Sequence, residues 1–343
     1  MNKIRIGLIG AGGWGRDHAR GYTAAPNVDL VAVADTDLTK AKALAADFHV
    51  PQAYGSIEAL LADTSVDAVS IVIPNAFHAE VAIQALEAGK PVMLDKPFAL
   101  SLADAQRVVD KARDLKVTFM MGMNQRFNRD TQILKGHIAK GVVGEVYHAK
   151  AYWLRRSGVP NIGSWFSRKE LSGGGPMIDL GVHLLDVCLH LMDNFDPVSV
   201  TAATFEMLAP QLPAVREAGA AYNVEDFATA LIRMRNGATV QLETSWMLHQ
   251  AEGNRQDVEL YGANAGATLY PVRLHREGAS GYEHVELTAT GDLPFPHCSR
   301  YQHFADVLQG KAEQLVSWEQ SLAVQRILDA VYRSAREGRE IAF

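Results

Sequence analysis

Short apolar runs alternate with longer stretches whose apolar residues recur every three or four positions. KIRIGLI (3–9), VDLVAVAD (28–35), VDAVSIVIP (66–74), PVMLDKP (91–97) and VTFMMGMN (117–124) are the near-continuous runs. Between them lie a stretch from about Arg16 to Ala24, then 37–48, 77–90 and 101–116, each with helical spacing. Gly89 suits a helix C-terminus, Ser101 an N-cap. Apolar strands that alternate with amphipathic helices predict a parallel sheet covered on both faces.

Beyond residue 125 the rhythm changes. EVYHAKAYWL (145–154), VSVTAATFEM (198–207), DFATALIRMR (226–235), ATVQLETSW (238–246), DVELYGA (257–263), ATLYP (267–271) and HVELTA (284–289) read as strands with few helices between them. Asn236-Gly237 between two such strands is a hairpin signal. This half is expected to be a large, mostly antiparallel open sheet, followed by helices near 299–310 and 317–337. The chain thus divides into an α/β domain at 1–124 and a second α/β domain at 125–343. ATALIRM and TVQLETSW carry apolar residues on both faces. A sheet covered on one side would leave the other exposed, so a homodimer or homotetramer is expected.

Composition excludes some classes. The 343 residues are 48% hydrophobic and 21% charged, ordinary for a globular protein with a large core. The net charge of −6 argues against a nucleic-acid surface. No apolar run reaches the ~20 residues of a membrane span. The N-terminus enters a strand at once, without the pattern of a signal peptide. Cys188 and Cys298 are the only cysteines and lie far apart. A cytoplasmic location is therefore expected, with neither a disulfide framework nor a bound metal.

The first candidate site is GAGGWG. Gly10, Gly12 and Gly15 form G-x-G-x-x-G, with Gly13 and Trp14 inside it, after one strand and before a helix. Such glycines allow a tight turn and the close approach of a pyrophosphate to backbone N–H groups at a helix N-terminus. Asp35, at the end of the next strand, is placed to accept hydrogen bonds from an adenosine ribose. Thr36 and Asp37 offer no cation for a 2′-phosphate, which favours NAD over NADP. Pro74, Asn75 and His78 follow another strand and are further cofactor candidates, although Asn75 alone would read as a cap. Asp95, Lys96 and Pro97 follow the next. Gly10, Asp35, Asn75, Lys96 and Asn124 all lie just past predicted parallel strands, on the sheet edge where ligands bind.

GGGPMIDLGVH (173–183) is the second candidate site. Asp179 and His183, four residues apart, share one face of an otherwise apolar helix. In isolation they would read as a cap and a core histidine. With Lys96 they make a set suited to oxidising an alcohol: His183 as base, Lys96 as positive charge beside a developing alkoxide, Asp179 orienting either. The glycines at 173–175 would let backbone come close to a ligand.

Jointly, the Gly10–Gly15 loop, Asp95-Lys96-Pro97 and GGGPMIDLGVH resemble the glucose–fructose oxidoreductase/inositol dehydrogenase (Gfo/Idh/MocA) family over essentially the whole chain. The resemblance implies an N-terminal Rossmann domain and a C-terminal α/β domain whose open sheet often makes oligomer contacts. It implies hydride transfer between NAD(P) and a sugar, inositol or related cyclic polyol, with Lys96, Asp179 and His183 catalytic. Asp95, where the family usually has Glu, would touch cofactor or lysine across a shorter reach, and Lys96-Pro97 would be a candidate cis peptide. The stretch 151–171, with Trp153, Arg155, Arg156, Trp165 and Arg168, is similar to the family's substrate-side loop. Its alternative reading is an oligomer-contact arm. Arg126 is a further substrate-side candidate. Three functions stay open: an NAD-dependent sugar or polyol dehydrogenase, favoured; an NAD-dependent glycosidase of the same fold; and a non-catalytic sugar or cofactor sensor.

Overall fold

The computed structural model describes residues 3–343. They form two compact units, 3–123 with Ser299–Leu322, and Asn124–Cys298 with Ala323–Phe343.

The first unit is built on six strands: β1 (Ile4–Ile9), β2 (Val28–Ala34), β3 (Gln52–Tyr54), β4 (Ala68–Ile71), β5 (Val92–Leu94) and β6 (Phe119–Met121). Their spatial order is β3-β2-β1-β4-β5-β6, and every pair is parallel. The order reverses between β1 and β4, which opens a crevice at the carboxyl ends of those two strands. Ile6, Leu8, Val33, Val69, Ile71, Val92, Met93 and Leu94 are fully buried, as continuous apolar strands in a parallel sheet require. Ser101 caps its helix by accepting from the Asp104 N–H, and Gly89 leaves the helix His78–Glu87 at φ +70°. The strand β3 and the helix Ile57–Ala62 were not predicted. Three residues behind Pro51 are too short a run to show a period.

The segment Ser299–Leu322 corrects the linear division at residue 124. It packs within the first unit, where Phe304 and Ala305 are buried with Ile6, Tyr22, Met93 and Met120. Tyr301 lies against Gly21 so closely that a Cβ there would stand 2.1 Å from its ring. Trp318 donates its indole N–H to the Phe119 carbonyl at 2.7 Å.

The second unit carries nine strands: β7 (Val146–Arg155), β8 (Pro197–Phe205), β9 (Phe227–Met234), β10 (Thr239–Ser245), β11 (Asn254–Gly262), β12 (Gly266–Leu269), β13 (Val272–Gly278), β14 (Gly281–Glu286) and β15 (Ile341–Ala342). They run β14-β13-β12-β11-β7-β10-β9-β8-β15. Only β7 and β10 pair in parallel, so the sheet is mostly antiparallel, as expected. Gly237 turns the predicted hairpin at φ +90°. The helix Arg129–Ala139 was not anticipated. In β9, Ala228, Ala230, Ile232 and Met234 are buried and the alternate residues are not. The two-faced apolar reading holds for β9, where Phe227 and Leu231 lie on the less buried face. It fails for β10, whose alternate residues Thr239, Gln241 and Glu243 are polar.

Residues Lys169–Met192 are long and apolar enough to cross a membrane by composition, but 78% of the apolar stretch is buried inside the protein. It is a core segment. Beside it, Arg126 holds Asp186 through Nε–Oδ2 at 2.9 Å and Nη2–Oδ1 at 2.6 Å, both side chains essentially inaccessible. The guanidinium also lies 5.2 Å from the Phe195 ring. Removing one member of a buried pair leaves the other charge uncompensated, at a cost of about 3–5 kcal/mol. Arg126→Met is expected to lower the unfolding free energy by that order in denaturant titrations. Replacing Asp186 by Leu in the same chain should recover much of the loss.

Candidate active site

In the first unit the glycines divide their labour. Gly10 takes φ +108°, and a Cβ there would lie 2.2 Å from the Val72 carbonyl oxygen; at Gly15 it would lie 2.2 Å from the Gly10 carbonyl oxygen. Both are required by the fold. At Gly12 and Gly13 a Cβ would meet nothing within 4 Å. Gly12 caps the helix Gly13–Ala24 without a side-chain hydrogen bond, and no acidic residue stands in the first turn. The helix therefore presents backbone N–H groups and positive dipole to open space, the cradle a pyrophosphate needs. Trp14, 52% exposed, flanks it.

Asp35, partly buried, accepts from the Ala11 N–H at 2.8 Å and the Asp37 N–H at 2.8 Å. These bonds fix the carboxylate beside the glycine loop, and each oxygen keeps a lone pair for ribose hydroxyls. Thr36 and Asp37 are exposed, so a 2′-phosphate would meet a second carboxylate, whose Oδ2 already lies 3.6 Å from Lys40 Nζ. The residues present fit NAD.

Lys96, half-buried, follows β5 in a cis Lys96-Pro97 bond, as the resemblance implied. Its neighbours need correction. Asp95 is buried and receives Nη1 of Arg300 at 2.8 Å. Arg300 also donates to the Gly122 carbonyl and, through Nη2, to His18 Nε2 at 2.9 Å. His18 Nδ1 is then the protonated nitrogen and donates to Ser70 Oγ at 3.0 Å. Burial would push the Asp95 carboxyl up, but the Arg300 charge outweighs it and holds the group well below the ordinary carboxylate range. Burial and Arg300 together lower His18, which stays neutral. Asp95 is thus an anchor for Arg300 inside the unit, rather than the cofactor contact its place in the motif suggested.

His78 is likewise no cofactor ligand by its side chain. It is buried, with Nδ1 2.7 Å from the Pro97 carbonyl and Nε2 2.9 Å from the Ile73 carbonyl. It braces the backbone after β4 to the backbone after β5. Burial lowers its pKa, while the two carbonyls act the other way. Pro74 is half-buried and Asn75 buried, beside Phe77, which is 50% exposed.

In the second unit every residue from Gly174 to Leu189 is buried except Asp179 and His183. The segment is not one straight α-helix. Met177–Gly181 is a π-turn, continuing as the α-helix Val182–Met192; such wide turns are frequent at functional sites. The turn carries Asp179, the helix His183. Asp179 Oδ2 accepts the indole N–H of Trp246 at 3.0 Å. Glu225 accepts from the Gly175 N–H at 2.9 Å and the Met177 N–H at 3.1 Å, and the Tyr332 hydroxyl donates to it at 2.8 Å. Burial raises the Glu225 carboxyl, with these donors opposing.

The glycines before the turn serve this packing. A Cβ at Gly174 would stand 2.0 Å from the Tyr332 hydroxyl oxygen, and one at Gly175 2.0 Å from the Glu225 carbonyl oxygen. Both glycines are required by this packing, whatever approaches the backbone from outside. Arg126 is corrected too: 1% exposed and bound to Asp186, it has no free face for a substrate hydroxyl.

Trp153, Phe166, Val159 and Tyr222 pack against Leu180, Val224 and Trp246, so the aromatic stretch 151–171 borders the Asp179 turn within its own unit. Trp153 donates to Asn254 at 3.0 Å, Arg155 lies 4.9 Å over its ring, and Trp165 stacks on Phe166 at 3.9 Å. Arg156 and Arg168 are exposed. Glu225, Trp246 and Arg300 were missed in the sequence. Each acts on a residue 48 to 205 positions away, and no local spacing signals that.

A β3-β2-β1-β4-β5-β6 parallel sheet with an open glycine cradle, joined to a mostly antiparallel sheet whose helix exposes an Asp and a His, defines a two-part nicotinamide-dependent oxidoreductase. The family model "Oxidoreductase family, NAD-binding Rossmann fold" matches residues 4–123, and the GFO/IDH/MocA C-terminal domain matches residues 131–268. The chain belongs to the Gfo/Idh/MocA oxidoreductase family. It is 34% identical over 342 residues to D-glucoside 3-dehydrogenase of Escherichia coli K12, covering 98% of this chain and 97% of that one. It is 27% identical to inositol 2-dehydrogenase of Rhizobium meliloti, covering 99% of each. Among solved structures, an NAD-binding protein from Listeria innocua is 28% identical with a TM-score of 0.81, covering 99% of this chain and 97% of that one.

The glycines make the cofactor site testable. Gly12→Ala is expected to fold normally, with an unchanged melting temperature, and to bind NADH at least tenfold more weakly in fluorescence titration. Gly10→Ala is expected to lower the melting temperature itself, because its Cβ has no room and its φ is strained. The opposite pattern would reverse the two roles.

Proposed function

We propose that this protein is a dehydrogenase of a glycoside, sugar or inositol that takes a hydride from a ring CH–OH and passes it to NAD, with Lys96, Asp179 and His183 as its proton-handling groups. The observation that carries this reading is the buried segment Gly174–Leu189, which leaves only Asp179 and His183 in partial contact with solvent. Hiding so apolar a helix while sparing one carboxylate and one imidazole makes sense when both meet a polar ligand. NAD, bound along the Gly12 cradle and Asp35, supplies the hydride acceptor. His183 takes the hydroxyl proton, a task suited to imidazole near neutral pH. Lys96 provides the positive charge that stabilises the developing alkoxide. Asp179 holds its neighbours in orientation. Residues 1–124 are the cofactor domain, and 125–343, without the Ser299–Leu322 segment, the substrate domain. Trp165 and the half-buried face of Trp153 suit the apolar face of a pyranose, and Arg155 its hydroxyls. The names of the glucoside and inositol relatives support this substrate class. A cytoplasmic location fits the two unpaired cysteines.

With NAD and a panel of glucosides, aldoses and inositols, the purified protein should accumulate NADH in proportion to substrate consumed, with kcat/KM higher for NAD than for NADP. Lys96→Ala and His183→Ala should each remove most turnover and leave NADH binding largely intact. Cleavage of a glycoside without net NADH would mark the glycosidase instead, and cofactor or sugar binding with neither reaction a sensor.

We also infer a homodimer or homotetramer formed through the open face of the second sheet. Phe205 and Leu231 are 43% and 37% exposed there, and Phe205 stacks on Phe227 at 5.7 Å. Light scattering at micromolar concentration should give a multiple of 37.4 kDa, and Leu231→Arg should shift it toward the monomer.

A further inference from the structure

We propose that Trp246 and Glu225 are the positioning residues of the catalytic carboxylate, Trp246 by holding Asp179 itself and Glu225 by fixing the turn that bears it. The inference rests on the assignment of Asp179 to the reaction.

Asp179 sits in a π-turn, a rare, wide backbone form that occurs mostly as a single turn. Left to itself, a carboxylate on such a turn would sample several orientations. Two groups from outside the turn restrict it. The indole N–H of Trp246 meets Asp179 Oδ2 at 3.0 Å, and the indole is wholly inaccessible to water. An indole is a donor only, so the bond favours the ionised carboxylate and fixes which oxygen is engaged. Hydrogen bonds to a charged group are about twice as strong as neutral ones, and burial keeps water from replacing this one.

Glu225 acts on the backbone. Its two oxygens receive the N–H groups of Gly175 and Met177, the residues just before Asp179, and the Tyr332 hydroxyl locks the carboxylate from the C-terminal helix. The next residue, Asp226, accepts the Trp246 backbone N–H through its carbonyl at 3.0 Å. The dipeptide Glu225-Asp226 therefore ties both the start of the turn and the backbone of the tryptophan that binds it. One rigid strand end sets the distance between Asp179 and its donor.

The test uses the full-length protein and two independent readouts. There are five tryptophans, so a ¹⁵N-indole spectrum should show five resonances, and Trp246→Phe identifies one by its loss. Asp179→Asn should move that resonance and no other, and it should exchange more slowly with D₂O than the indole of the exposed Trp14. In kinetics, Trp246→Phe keeps an aromatic ring and removes only the N–H. It should lower kcat by about tenfold, leave NADH affinity unchanged, and raise the apparent pKa of the acid limb of kcat/KM, because the ionised carboxylate has lost its donor. Glu225→Gln, which keeps one acceptor for the turn, should lower kcat less than Glu225→Ala. If Asp179→Asn retains near-normal kcat, the assignment of Asp179 fails. If Asp179→Asn is inactive while Trp246→Phe changes neither kcat nor the acid limb, Trp246 is a core residue only and the positioning proposal is overturned.

Discussion

No side chain can stand at Gly174 or Gly175, because the Tyr332 hydroxyl and the Glu225 carbonyl already occupy that space. This exclusion governs the second unit. It lets a buried glutamate reach the first N–H groups of the turn, and so lets a wide turn form where a straight helix would otherwise start. Asp179 then lies in the turn and His183 in the helix that follows, the two openings in a wall of buried residues. A single Cβ at either glycine would move Glu225 or Tyr332, and with them the origin of both side chains. The GGGP stretch is therefore a packing device that sets where Asp179 and His183 stand.

The first unit uses glycine in both senses within six residues. Gly10 and Gly15 yield to neighbouring backbone, while Gly12 yields to nothing in the protein. A glycine kept where the chain has room for a side chain is explained by what approaches from outside. The uncapped start of the helix Gly13–Ala24, with no acid in its first turn, points the same way, since a carboxylate there would compete with a phosphate for the same N–H groups. Asp35 completes the arrangement by bonding the Ala11 N–H, which ties the end of β2 to the loop after β1.

Much of this was legible in the sequence, and what was legible is local. Strands read from continuous apolar runs, the glycine loop, Asp35 and the pairing of Asp179 with His183 all depend on residues a few positions apart. What escaped is long-range or depends on burial. Arg126 and His78 are polar residues in the turns and helix starts that follow strands, and nothing nearby tells that Asp186 or two backbone carbonyls will consume them. Arg300 meets Asp95 across 205 positions. The segment around it looks like the tail of the second half because it follows that half in the chain. It folds into the first because Phe304 fills a core made by Ile6, Tyr22 and Met93.

The Asp95–Arg300 contact also explains how an aspartate serves where the family usually has a glutamate. The Asp95 carboxylate is buried, a position that would be unfavourable for a lone charge. Arg300 arrives with a charge of opposite sign and is itself satisfied by the Gly122 carbonyl and the neutral His18. The pair is neutral as a whole, so the fold buries it without leaving an uncompensated charge.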